Sequence, residues 1–195
     1  MKVNFVKTFI PVKDFVAVEK VGDKILVRFD AVKDADMDAY SCVEGSVSAS
    51  EYDEHEVRRE YEAWKQKWAE KALVLAKKAK IAEIAAYDTS DKVNGFILNG
   101  LLVWLDKATR VGLMNSTNIA KAAGQQTTTL WLGGLKLVVD CDKAIQLLSA
   151  LEMYALECFN VTASHKQAVS ELVTIEEVEA YDYKAGYPKM LEMSV

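Results

Sequence analysis

The chain has 195 residues with a formal net charge of −5, 51% hydrophobic and 27% charged residues, a balance that excludes wholesale disorder and lacks the basic excess that bulk phosphate binding requires. Its three cysteines, Cys42, Cys141 and Cys158, are odd in number and widely spaced, so they form no disulfide framework and point to a reducing compartment. Neither the start, Met1-Lys2-Val3-Asn4-Phe5-Val6-Lys7, nor any later run supplies a signal-peptide core or the ~18–20 apolar residues of a membrane span, which predicts folding in a cytosol with no membrane and no nucleic acid as partner.

Residues 1–47 alternate like strands. Val16, Val18 and Val21 precede Gly22-Asp23, and Ile25, Val27 and Phe29 follow it, which predicts a hairpin around Gly22. Asp34-Ala35-Asp36-Met37-Asp38 reads as an acidic loop, and Tyr40 to Val47 as a returning strand. A sheet this small is marginal alone and must pack on something.

Ser50, with Asp53 three residues on, resembles a capping box. From there to about Ala86 there is no Gly or Pro, and good helix formers dominate. Acids crowd the beginning and lysines the end, as the helix macrodipole favours. Val57, Tyr61, Trp64, Trp68, Ala72, Leu75, Ala79 and Ala82 form an apolar stripe near a heptad, with one stutter between Trp68 and Leu75. Three readings stand open: an amphipathic helix packed on its own domain, a projecting helix that self-associates as a short coiled coil, or a helix broken into two pieces. On the second, Val57, Tyr61, Trp64, Trp68 and Leu75 are the protein-interaction residues, because interface cores favour aromatics.

The stretch Val93–Val139 organises the remainder. Two apolar runs flank Asn99-Gly100 and two more flank Gly133-Gly134, the strongest short hairpin signals, since a type I′ turn needs φ > 0 at both central residues. In the first hairpin both faces are apolar, which predicts cover on both sides. In the second, Leu130, Leu132, Leu135 and Leu137 share one face, while Thr129, Trp131, Lys136 and Val138 share a wet one. Between them Arg110 to Ala123 is expected as a helix stopped by Gly124. Asp140 or Asp142 caps a strongly apolar helix, Ala144 to about Phe159, expected to be mostly buried. A further helix is expected from Thr162 to Leu172. Thr174-Ile175-Glu176-Glu177 is a full capping box. The expected class is therefore α+β: a small antiparallel β region at 1–49, a long central helix at 50–86, and a C-terminal domain of two β-hairpins packed with helices at 87–195.

No motif spells out a chemistry. Two histidines cannot build a His-rich metal site, and Ser164-His165 without a placed base and orienting group is no triad. No cysteines stand as C-x-x-C. A calcium loop from Asp34 would put Ala39 where glycine is needed and Gly45 where a bidentate glutamate is needed. Gly133-Gly134 is a turn, not a phosphate cradle. No catalytic, cofactor-binding or metal-ligating residue is expected. A carboxylate pair from Asp106 and Asp140, of the kind a glycan- or cell-wall-acting hydrolase needs, is the one enzymatic alternative.

The second half carries a recognisable pattern: Tyr87-Asp88 with Ser90, Phe96, Leu98-Asn99-Gly100, Trp104-Leu105-Asp106-Lys107 and Arg110; then Thr128-Thr129-Leu130-Trp131; then Leu151-Glu152-Met153-Tyr154-Ala155, Cys158-Phe159, Thr162 and His165; then Tyr181-Asp182 and Gly186-Tyr187-Pro188. Over about residues 81–191 this resembles an uncharacterised phage and prophage domain family associated with tail and tail-fibre-assembly genes of gut bacteria. The resemblance implies a non-enzymatic structural or adaptor protein, made in the host cytoplasm and carried in the virion near tail or tail fibre. Other virion or tail-fibre proteins are the expected partners, together with self-association into a homo-oligomer. A tail-fibre assembly chaperone is the alternative within that setting. No catalytic residue comes with the resemblance.

Overall fold

The computed structural model describes residues 5–195; the strand pattern expected at 1–4 lies outside them. The chain divides into two compact units, Met1–Ala76 and Lys77–Val195. The architecture is α+β, with an antiparallel sheet first and helices packed with strand pairs later. The boundary falls inside a helix, where three segments divided at 49 and 86 were expected.

In the first unit β1 (Phe5–Pro11), β2 (Val18–Val21), β3 (Lys24–Asp34) and β4 (Ala39–Ser48) form one antiparallel sheet in the order β1-β4-β3-β2. Gly22 takes φ +62° in the expected β2–β3 turn. Ile25, Val27 and Phe29 pair across to Val47, Gly45 and Val43 and are fully buried. Each such burial contributes about 1.5–3 kcal/mol. The β3–β4 register shifts between Phe29 and Val32, where Asp30 has φ +52°, the mark of a bulge. In the acidic loop Asp34 accepts from the amides of Asp36 and Met37, an Asx turn that accounts for that cluster.

The long helix begins later than its sequence suggested and has a break. Asp53, not Ser50, is the cap: its carboxylate accepts from the amides of His55 and Glu56. Ser50 instead shares a hydroxyl contact with Ser48. α1 (Glu54–Arg59) ends at Glu60, and α2 runs from Tyr61 to Asp88. No Gly or Pro announces this break. It is flanked by two anchors to the sheet: Arg58 donates to the Val18 carbonyl at 2.7 Å, and the Tyr61 hydroxyl to the Arg28 carbonyl at 2.7 Å.

In the second unit α3 (Asp91–Asn94) leads into β5 (Gly95–Leu98) and β6 (Leu101–Trp104). They pair as expected, Phe96 with Val103 and Leu98 with Leu101, around Asn99 and Gly100 at φ +49° and +82°. β7 (Thr127–Leu132) and β8 (Leu135–Asp140) form the second hairpin, again with positive φ at both turn glycines. Its leucine face is turned inward and its Thr129, Trp131, Lys136 and Val138 face is wet. α4 (Lys107–Ala122) starts three residues before the expected Arg110. α5 runs unbroken from Cys141 to Glu171 with Asp140 as its cap, so the two helices expected at 144–159 and from Thr162 are one. Thr162 does not cap, because its hydroxyl is engaged elsewhere. α6 (Ile175–Ala180) carries the full Thr174–Glu177 capping box. A last strand, β9 (Leu191–Met193), joins β5 in parallel, giving the order β6-β5-β9. The core gathers Phe96, Leu98 and Val103 from the first hairpin, Leu130 and Leu132 from the second, and Leu148, Leu151 and Cys158 from α5.

Two expectations of burial fail here. Leu101, Leu102 and Trp104 of the first hairpin are exposed, as are Met153, Leu156 and Phe159 of α5. The packing around β6 and α5 covers one face of each and leaves the other open.

Candidate functional site

The expected interaction stripe is divided by its surroundings. Val57 and Trp68 (2% exposed) are buried within the first unit. Trp68 stacks edge-on against Phe5 and Trp64, at centroid distances of 5.7 and 5.2 Å. Tyr61 is held through its hydroxyl, Trp64 also meets Tyr52, and Leu75 stays 43% exposed. Val57 and Trp68 therefore cannot serve as a contact surface for a second protein while this unit is folded. The part of the stripe around Trp68 packs on the chain's own sheet.

The polar residues of the C-terminal pattern converge into a clasp that fixes the tail to α2 and α5. The Thr162 hydroxyl donates to Asp88 at 2.7 Å, and so accepts from the Tyr187 hydroxyl at 2.9 Å. His165 donates from Nε2 to the Ala185 carbonyl at 3.0 Å, which leaves Nδ1 to accept from Tyr181 at 2.8 Å. Tyr87 meets Tyr183 and Tyr187 edge-on. Deeper in, Tyr154 and Cys158 both donate to the Val93 carbonyl, at 2.7 and 3.3 Å. Burial raises the pKa of Tyr154, Cys158 and Tyr187, so these groups stay protonated donors near neutral pH. His165 is thus a structural residue with both ring nitrogens engaged. Thr162→Val removes a buried donor and strands Asp88 and Tyr187; we expect a loss of about 1–3 kcal/mol in urea unfolding, with no loss for Ser164→Ala on the solvent side.

Beside the clasp lies an open cleft of about 610 Å³, within the range of small-ligand sites, roughly 300–1,000 Å³. Arg110 of α4 lines it. Although buried, its guanidinium is well satisfied: Nε donates to Glu152 at 2.8 Å and Nη1 to the Leu105 carbonyl at 2.7 Å. Asp106 caps α4, accepting from the Thr109 amide at 2.9 Å and its hydroxyl at 2.6 Å. Those bonds hold its carboxyl below the usual range, so it is ionised near neutral pH. Trp104, Leu156 and Phe159 form the walls and are 41%, 50% and 59% exposed.

Asp106 lines this cleft but Asp140 does not. Asp140 caps α5, accepting from the amides of Asp142 and Lys143. The carboxylate pair considered for hydrolysis is thus two helix caps that do not share the cleft, and Asp106 is shifted opposite to a general acid. Among the described residues no group of three or more His, Cys, Asp or Glu side chains is placed to hold a metal ion, and no helix is long and apolar enough to cross a membrane. Sequence reasoning missed the cleft. Its only forewarning is an excess of apolar residues on α5 and on both faces of the first hairpin, which periodicity alone places in the core.

Residues 75–185 match the model of a family described as a domain of unknown function (DUF4376). Neither the curated proteins nor the solved structures contain a match to the chain.

Proposed function

The chain belongs to the DUF4376 family, whose model spans more than half of it, and from there we propose that it is a non-enzymatic structural or adaptor protein of a phage or prophage particle, sited near the tail or tail fibre. One observation carries the docking reading. The polar groups of the C-terminal pattern are engaged in internal bonds, while Trp104, Leu156 and Phe159 stand in solvent around an open cleft. Large apolar side chains kept at a surface beside satisfied polar groups suit contact with another protein. The phage setting is supported by the resemblance of residues 81–191 to tail-associated domains. The partners are other virion or tail-fibre proteins, with self-association as a second contact.

Quantitative mass spectrometry of purified particles tests this reading. A structural component appears in fixed copy number relative to the tail proteins. Recovery only from fibre complexes in the lysate assigns the chaperone role instead. Absence from both, with a strict monomer in sedimentation, overturns the proposal.

A further inference from the structure

We infer that the cleft of the second unit receives a lysine or arginine side chain from a partner protein, its cation drawn by the aromatic lining of Trp104 and Phe159 and by the charge of Asp106. This names the partner chemistry for the docking reading above and rests on it.

The first argument is charge. Five ionisable side chains line the cleft: Asp88, Asp106, Glu152, Lys107 and Arg110. Arg110 is already spent, with Glu152 at 2.8 Å and the Leu105 carbonyl on its other side, so this pair offers no net charge to an incoming group. What remains is Asp88 and Asp106 against Lys107, a surplus of negative charge on a chain that is itself acidic. An entering carboxylate would meet three others. An entering cation meets the surplus.

The second argument is the walls. Trp104 and Phe159 are large aromatic side chains left in solvent on different elements, β6 and α5. Aromatic faces attract cations through the ring quadrupole, tryptophan most strongly. Leu156, exposed in the same lining, suits the aliphatic stem that both lysine and arginine carry behind the charge. An apolar partner side chain would use the walls and waste the carboxylates, and a free anion would use neither.

The test is an NMR titration of the full chain, following the indole N–H of Trp104, assigned by its loss in Trp104→Phe. The probe is acetyl-arginine amide, with acetyl-citrulline amide as its neutral isostere and acetyl-glutamate amide as its opposite. The expected result is a saturable shift with the arginine probe and binding of the citrulline probe weaker by about two- to fivefold, the worth of a cation at a partly exposed aromatic or ionic site. Asp106→Ser keeps an oxygen able to cap α4 but removes the charge, and should weaken the arginine probe by a similar factor. Asp140→Ser makes the same change at the cap of α5 outside the cleft, and should leave it unchanged. Equal binding of citrulline, stronger binding of glutamate, no response at Trp104, or indifference to Asp106→Ser each overturns the inference. Any of these, in a protein still present in particles at fixed copy number, removes the cation and leaves the adaptor reading intact.

Discussion

Trp68→Ala is expected to lower stability by about 3–5 kcal/mol, the largest effect of any single truncation in the first unit. The indole is almost wholly buried and its contacts are specific. A Cβ placed on Gly45 of β4 would lie 2.5 and 2.7 Å from two of its ring atoms, so the ring rests directly on strand backbone. Phe5 and Trp64 hold it edge-on from other sides, and Phe5 in turn meets Phe29. Gly45 is glycine because the ring occupies the space a side chain would need. Gly45→Ala should therefore cost about 1–3 kcal/mol through overpacking. In a Trp68→Ala background that penalty should largely vanish, since the added methyl enters the vacated space. Urea unfolding by near-ultraviolet circular dichroism of the two single variants and the double supplies the cycle. Additive losses would show that Gly45 and Trp68 do not touch.

The second large effect belongs to Arg110. Arg110→Met should cost about 2–3 kcal/mol, less than the loss of one partner from a wholly buried pair. The discount follows from Glu152, whose side chain is 33% exposed and can recover water once the guanidinium is gone. The Leu105 carbonyl, also served by Arg110, loses its charged donor. Glu152→Gln alone should cost less, because an amide oxygen can still accept from Nε. The double variant should fall well short of the sum. Thermal unfolding of the four proteins measures this, and a loss below about 0.5 kcal/mol for Arg110→Met would place the pair with ordinary surface ion pairs.

Local geometry was legible in the sequence and long-range closure was not. Asn99-Gly100 and Gly133-Gly134 announced their hairpins because positive φ is a demand on single residues. The capping box at Thr174–Glu177 was equally local. Thr162 misled for the same reason. It resembles a helix start, but its hydroxyl is claimed by Asp88, 74 positions away, and no local pattern reports such a bond. The stripe around Trp68 was visible as apolar. That it would settle on Gly45, not on a second helix, depended on a strand pairing far from it in sequence. The cleft was hidden because exposed and buried leucines look alike in a periodic pattern. Only the assembled packing separates Leu151, sealed in the core, from Leu156 in solvent.

The parallel strand at Leu191–Met193 has a consequence for how the second unit is made. Phe96 pairs with Leu191, 95 positions later. Hairpin β5–β6 can close within microseconds of leaving the ribosome, yet the strand that covers the other edge of β5 does not exist until nearly a hundred more residues have been added. At about 5–20 residues per second, β5 keeps one edge open for some 5–20 seconds during synthesis. That is the interval in which a nascent chain of this protein is most open to pairing with the wrong strand. A premature stop before residue 191 would make the interval permanent.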